Sequence, residues 1–596
     1  MLPAEPKGVG RPIDDRAAWK AAARWPGLRD IVARAERIAG EPIPELTEEL
    51  YLDYSRTGNR SRCQRVIFRR RERIATLVSA ECVENRGRFV PAIEEIMRSL
   101  CSDNSWLLPA HDRGLRNWNG TTVEIDLNSS ALSWTLATAC YWLGNRLSPE
   151  IRQRVRSELE RRTFAPFESY ATKGAPRLWW ATGTNNWNAV CLAGVTGSAL
   201  AAIESPKRRA WFIAAAEQYV QHFLNGFTPD GYCSEGIGYY NYGFGHYVLL
   251  AETILQATGC QIDWMEDPRV RRIARFGPRM EILPGIYPAF ADCSPRARPD
   301  PKLLAYLSRR YGFGWKAAEH EAIAQAGSER ALFDMAIFDF PNSVSGKPKA
   351  GQPALGRALR DEFPEAQVFV LRPLEGVRRV LGVAIKGGHN AEHHNHNDAG
   401  TFVVALDGET PLVDPGSEVY TARTFSSRRY ESKVLNSYGH PVPLVAGQMQ
   451  RTGRSAAARV VRKEFTDGCD TIVLDLRRAY AVESLKRLER TFVFSRGDAG
   501  SLTVIDEVEF NAPQAFGTAL ITFCAKPEIW DREILVGDGD GRVRVAVSTR
   551  GANCKIRQET LDEDVHAPHP PVRIGIDLTE PVRQAAITLT IQPAGS

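Results

Sequence analysis

"NSVSGKPKAGQPALGRAL", residues 342–359, separates two textures of sequence. Glycine, proline, serine and lysine recur in it without helical or strand periodicity, so it reads as a linker, placed at residues 346–360. Upstream, "SALSWTLATACYWLGNRL" (130–147), "SPEIRQRVRSELERRTF" (148–164), "NAVCLAGVTGSALAAIE" (188–204) and "PKRRAWFIAAAEQYVQHFLNGF" (206–227) carry apolar residues at helical spacing. Ser148-Pro149 and Ser205-Pro206 pair a capping hydroxyl with a first-turn proline, which predicts a helix start at each. Helices alternating over residues 1–345 imply paired antiparallel helices in a bundle, toroid or solenoid. Downstream, "RRVLGVAIKG", "TFVVALDG", "DTIVLDLRRAY", "RTFVFSR", "SLTVIDEVEF" and "AAITLTIQ" are short, β-branched or alternating, and separated by turn residues. That pattern predicts an antiparallel β-sandwich over residues 361–596. The fold class is multidomain α+β.

Composition sets outer bounds. The chain has 596 residues, more than one hydrophobic core supports, and 43% apolar and 25% charged residues place it among ordinary globular proteins. Lysine and arginine total 76 against 71 acidic residues, so a bulk electrostatic partner such as nucleic acid is not indicated and any basic site must be local. "RRRER" (69–73) lies in a helical pattern and reads as a solvated face. The eleven cysteines are scattered without a Cys-x-x-Cys pair, which reads as reduced thiols. The start, "MLPAEPKGVGRPIDDRAAW", lacks the apolar core of a signal peptide, and no run is long enough for a transmembrane helix. The expectation is a cytoplasmic protein, or a periplasmic one if translation begins further upstream.

The densest chemistry is in "HHNHNDAGTFVVALDG" (393–408), which places three of the chain's 11 histidines within four positions. A period of two sends His394 and His396 to one side and Asn395 and Asn397 to the other. Such a pair of imidazoles can bind a metal, or divide metal binding from acid–base work. With Asp414 in "PLVDPGSEVY" and His440 in "NSYGHPVPLV", the histidines can supply three nitrogen and oxygen ligands and leave a fourth position open, a donor set that suits zinc. His389 and His393 read as loop residues.

Two further clusters lie in the helical half. Asn185, Asn186 and Asn188 surround Trp187 in "TGTNNWNAV" (182–190), where one asparagine is expected to cap a helix. In "DGYCSEGIGYYNYGFGHYVLL" (230–250), Tyr239, Tyr240, Tyr242 and Tyr247 crowd four glycines beside Glu235 and His246, more tyrosines than packing alone explains. Trp179, Trp180 and Trp187 can form a stacking platform for sugar rings.

On these residues the sequence resembles the heparinase II/III-like polysaccharide lyases. The matching pieces are "NSWLLPAHD" (104–112), "NNWNAVCLAG" (185–194), "DGYCSEGIGYYNYG" (230–243), "HNHNDAGTFVVALDGETPLVDPG" (394–416), "RRYESKVLNSYGH" (428–440) and "VAGQMQ" (445–450), all in family order. The resemblance implies an N-terminal (α/α) toroid of helix hairpins followed by a β-sandwich, with the active site in the cleft between the domains. It implies β-elimination on an acidic, uronate-containing polysaccharide: Asn186 and His394 neutralise the uronate carboxylate, a base removes the C5 proton, and an acid protonates the departing O4. Tyr240 resembles the catalytic tyrosine, with Tyr239 and Tyr242 as neighbouring alternatives, and Tyr430 matches a second site tyrosine. Arg429 is expected to grip a carboxylate or sulfate through its planar fork, and Trp187, Glu235 and Tyr239 to contact substrate. His396, Asp414 and His440 match the zinc ligands of metal-carrying members. Some members have a histidine at the position of Asn185-Asn186; its absence here leaves His394 as the base candidate for anti elimination. No membrane partner is implied, and the oligomeric state stays open, a homodimer included.

Two other functions compete. A toroidal glycoside hydrolase would use two carboxylates about 5–10 Å apart, for which Glu235 and Asp292 are candidates, but it leaves the His-x-His motif idle. A noncatalytic carbohydrate-binding protein of an exopolysaccharide locus would bind polymer and release it intact.

Overall fold

Both serine-proline pairs open helices. Ser148 Oγ accepts from Ile151 N at the start of Pro149–Leu159, and Ser205 Oγ accepts from Arg208 N at the start of Pro206–Leu224. A computed structural model of the chain describes residues 2–315, 331–340, 358–374, 376, 380–497 and 499–595. Residues 346–357 of the expected linker lie outside the described residues, and Arg360, its last residue, already begins the strand Arg360–Phe363. The chain divides into two units: Met1–Gly226 with Asn241–Arg271 and Asp300–Ala354, and Phe227–Tyr240 with Arg272–Pro299 and Leu355–Ser596. Two segments within the expected helical domain therefore group with the sheets, which a single cut at residue 345 does not capture. No helix among the described residues is long and apolar enough to cross a membrane.

In the helical unit, Leu127–Leu143 and Asn186–Ala202 are buried on nearly every side, as expected of inner helices with no polar face. Their backbones approach closely because the facing residues are small. A Cβ on Gly194 would lie 2.5 Å from the backbone C and O of Ser130, a distance no side chain tolerates. Ser133 and Thr135 satisfy their hydroxyls on carbonyls one turn back, at 2.7 and 2.9 Å, so their burial leaves no orphan donor. The "RRRER" run departs from expectation. Arg70, Arg71 and Arg73 are 2%, 2% and 4% exposed, each turned inward on the long helix Ser61–Glu84. Arg70 forks onto Asp103 at 2.9–3.0 Å and onto Ser99, Arg71 donates to Asn128, and Arg73 donates to the Glu41 carbonyl. Partners contributed by distant helices make burial of these cations tolerable; removing one partner of such a pair costs about 3–5 kcal/mol.

Among the described residues the sheet unit contains antiparallel sheets of eight, five, four and two strands. Leu485–Ser495 and Ser501–Gln514, paired in the eight-stranded sheet, alternate buried and half-exposed residues. Leu381–Lys386 and Thr401–Leu406, paired in the five-stranded sheet, are buried at every position. Both faces of these two strands are covered, and this is why they read as nearly continuous apolar runs. One face joins the common core with Ile472, Phe492 and Val504. Towards the other lie Ile282 and Leu283 of the segment Arg272–Pro299, within 3.1 Å of where a Gly382 Cβ would stand. Arg372 fastens that segment through the Glu281 and Arg279 carbonyls at 2.7 and 2.9 Å.

Candidate active site

The histidine motif occupies the connection between Leu381–Lys386 and Thr401–Leu406, and its conformation is imposed from both ends. Lys386, 1% exposed, ends the first strand and donates to both Asp398 oxygens at 2.8 and 3.0 Å, with Glu392 Oε2 at 3.3 Å. Gln450, from the "VAGQMQ" motif, accepts from Ala399 N and Asn390 Nδ2 and donates to Ala399 O at 2.8 Å, replacing strand pairing where the chain turns. Beneath, the buried Arg490 forks onto Asp506 at 2.7 Å and donates to the carbonyls of Gly400 and Pro441, joining the loop of His396 to the loop of His440. So constrained, His394 adopts φ of 54°, a left-handed conformation uncommon for a residue with a Cβ and typical of positions held for function.

Asp292 is the hub of a cluster around His394. Its side chain is fully buried; Oδ2 lies 2.8 Å from His394 Nδ1, and Oδ1 lies 3.0 Å from His396 Nε2 and 2.7 Å from Arg429 Nη2. Burial alone would raise its pKa, but the hydrogen bonds from His394 and His396 and the charge of Arg429 hold it well below the usual carboxylate range. Tyr239 stacks on the His394 ring with centroids 3.9 Å apart and an interplanar angle of 20°. The Tyr239 hydroxyl is 2.8 Å from that of Tyr420, which in turn is 3.5 Å from His394 Nδ1. Burial, with Tyr239 and Asp292 alongside, pushes the Tyr420 phenol far above its ordinary pKa, so it stays protonated. On the other edge of the imidazole, His394 Nε2 is 3.4 Å from Glu235 Oε2. Glu235 and Tyr239 reach this position because the glycine-rich segment docks tightly: Gly236 has φ of 85°, and a Cβ there would be 2.5 Å from the Phe290 carbonyl oxygen.

His396, Asp414 and His440 form a second, fully buried cluster whose candidate ligand atoms lie within 4.8 Å of one another. His440 Nδ1 is 2.9 Å from Asp414 Oδ2, which also accepts from Thr401 Oγ1 at 3.0 Å. An ionised carboxylate only accepts, so Asp292 fixes His396 with its proton on Nε2 and Asp414 fixes His440 with its proton on Nδ1. The remaining nitrogens, His396 Nδ1 and His440 Nε2, are buried and have no hydrogen-bond partner among the described residues. Two buried imidazole nitrogens beside a buried carboxylate are the donor set of a borderline metal ion, and the residues fit one.

Other expected residues fall elsewhere. Tyr240 is 0% exposed, donates from its hydroxyl to the Ala274 carbonyl at 3.0 Å and packs against Phe276, so its phenol points away from the His394 cluster that its neighbour Tyr239 joins. Arg429 is committed to Asp292, the Asn395 carbonyl and the Thr424 carbonyl, so its fork braces the histidine loop instead of standing open to substrate. Tyr430 accepts from Asn395 Nδ2 at 2.9 Å, bracing the same loop. In the helical unit, Asn185 is the helix cap, accepting from Trp187 N, and Asn186 is buried in the first turn. Trp187 lies between Trp179 and His111, with ring centroids 4.8 and 4.6 Å away, and Trp179 is 45% exposed. Tyr420 was not singled out by sequence: "SEVYTARTF" has no periodicity or spacing that distinguishes its tyrosine.

No protein-family model matches the sequence, and no curated protein matches it. The fold does match solved structures. Heparinase III aligns with a TM-score of 0.61 at 12% identity, covering 96% of this chain and 93% of that one. A heparan sulfate lyase from Pedobacter heparinus aligns at 0.53 and 13%, covering 98% and 93%. A Paenibacillus xanthan lyase aligns at 0.51 and 11%, covering 98% of this chain and 59% of that one. A helical N-terminal region followed by antiparallel sheets is thus a fold shared with polysaccharide lyases. At this identity the likeness carries the fold; chemistry has to be argued from the residues.

Proposed function

We propose that this protein is a polysaccharide lyase that cleaves uronate-containing chains by β-elimination, on a toroid-and-sandwich scaffold of the heparinase II/III type. The observation that carries the reading is the stack of Tyr239 on His394 at 3.9 Å, a phenol and an imidazole held face to face beside a carboxylate. Elimination needs one group to accept the C5 proton and another to donate a proton to O4 as the C4–O bond breaks, leaving a C4=C5 double bond. His394 is suited to accept at Nε2, because Asp292 occupies Nδ1, and Glu235 stands 3.4 Å away to stabilise the imidazolium. Tyr239, one of the alternatives to Tyr240 under the resemblance, takes the donor role. Asn186 keeps the role the resemblance implies for it, neutralising the uronate carboxylate. A zinc ion is the metal we assign to His396, Asp414 and His440; bound there, it supplies positive charge that fixes the loops, and no proton transfer runs through it. The hydrolase alternative is weakened by Asp292, whose fully buried oxygens are taken up by His394, His396 and Arg429 and so are not offered to a water or a sugar ring.

Ultraviolet absorbance of the unsaturated uronate product tests the reading, using heparan, chondroitin, hyaluronan, alginate and bacterial glucuronans as substrates. Tyr239→Phe should lose about 10²–10⁴-fold in rate, and Tyr240→Phe should stay within a few-fold of the parent. Absence of the chromophore from every uronate polymer with metal-replete protein would end the proposal.

A further inference from the structure

One carboxylate touches both histidine clusters. Asp292 receives His394 on one oxygen and His396 on the other, with Arg429 added to the second, and all of these side chains are 13% exposed or less. An ionised carboxylate offers only lone pairs, so each imidazole presents an N–H to the Asp292 oxygen it meets at 2.8 or 3.0 Å, while Glu235, 3.4 Å from the other edge of His394, makes the longer and weaker claim on that ring. The two rings present opposite atoms: Nδ1 in His394 and Nε2 in His396. We propose that Asp292 is a positioning residue that sets both tautomers at once, leaving Nε2 of His394 as the proton acceptor toward substrate and Nδ1 of His396 as a ligand toward the ion.

Three features support this division. Asp292 and its two histidines come from separate parts of the sheet unit, so the bridge does not follow from local chain geometry. Among the described residues His396 Nδ1 is buried without a partner, the state expected of a ligand nitrogen whose opposite edge is tied down. Arg429, which the resemblance aimed at substrate, instead adds a third donor to Asp292 and closes over the loop carbonyl of Asn395. The carboxylate then acts through the two imidazoles and touches neither substrate nor ion. The inference rests on the lyase reading for the role of His394 alone; its statements about tautomers and metal affinity hold or fail without substrate.

The test uses the full-length chain. With ring-¹⁵N histidine in the metal-free protein, the His394 resonance, identified by its loss in His394→Gln, should show the proton on Nδ1; a proton on Nε2 overturns the proposal. Cobalt(II) titration, read by its visible absorption, should give an affinity about 10–100-fold weaker in Asp292→Asn than in the parent. In His394→Gln the affinity should change less than about 3-fold, since Asp292 still holds His396. Equal cobalt affinity in parent and Asp292→Asn overturns the metal half, as does failure of the parent to bind cobalt at all. Should Asp292→Asn not fold, the tautomer of the parent decides the matter by itself. Loss of elimination activity with both readouts as expected would indict the lyase reading and leave the role of Asp292 standing.

Discussion

His394 and His396 are two residues apart and share a carboxylate, yet their surroundings differ in kind. His394 is 13% exposed, in a left-handed backbone conformation, stacked on a phenol and facing a second carboxylate. His396 is fully buried, and it lies with His440 and Asp414 in a cluster whose candidate ligand atoms are within 4.8 Å of one another. Partial exposure combined with imposed conformation suits a group that must meet a substrate and change protonation. Complete burial with an orphaned lone pair suits a group that holds an ion. The same residue type, nearly adjacent, is specialised by what the fold packs against it.

The comparison breaks most directly at His394. His394→Ala should reduce the rate of unsaturated-product formation by about 10²–10⁴-fold while its metal content, measured by elemental analysis, stays that of the parent. Activity near the parental level would remove the distinction between the two histidines. His440→Ala should do the reverse in kind: metal is lost, and Asp414 is left buried without its imidazole, at a cost of about 3–5 kcal/mol in denaturant titration. If His440→Ala is as stable as the parent, the triad is not the rigid half of the site. A smaller effect is expected at Gln450, whose amide serves Ala399 on both backbone groups and Asn390 on its side chain. Gln450→Ala should cost about 1–3 kcal/mol, with faster hydrogen exchange at the Ala399 amide before any change at the core strands.

Local pattern made the elements legible, and distance hid much of the site. The serine-proline helix starts and the β-branched runs report short-range physics, so they read correctly from a window of sequence. "RRRER" misled because helical periodicity says which side a residue takes, whereas burial of Arg70 depends on Asp103 and Ser99 from elsewhere in the unit. Tyr239 and Tyr240 are adjacent in a glycine-rich stretch, and their opposite fates result from docking against Phe290 and Ala274, which no spacing encodes. Asp292 was visible only as a carboxylate available to a hydrolase, because "FADCS" carries no motif and its partners include residues as distant as 394, 396 and 429. The candidate triad was legible because histidine is scarce in this chain and His-x-His, followed by Asp414 and His440, fits the resemblance; the strand period did not carry it, since the motif forms a connection in which His394 has φ of 54°.

The smallest effect concerns the anchor beneath both histidines. Lys386 faces two carboxylates, Asp398 at 2.8 Å and Glu392 at 3.3 Å, and the longer contact is the weaker claim on the ammonium. Burial raises the pKa of Glu392 above its ordinary value, Lys386 lowers it in part, and the charge of Asp398 raises it again. A folded-state pKa above the unfolded one means that the folded chain binds this proton more tightly. The resulting stability is fully present below the ordinary glutamate pKa of about 4.3 and is lost as pH rises through the folded value. Glutamine imitates the protonated acid at every pH. Glu392→Gln should therefore be at least as stable as the parent at neutral pH, and the difference should close in acid, as tracked by thermal unfolding across that range. A variant less stable than the parent at neutral pH would mean that Lys386 needs both carboxylates, and that Asp398 alone does not anchor the loop on which His394 and His396 diverge.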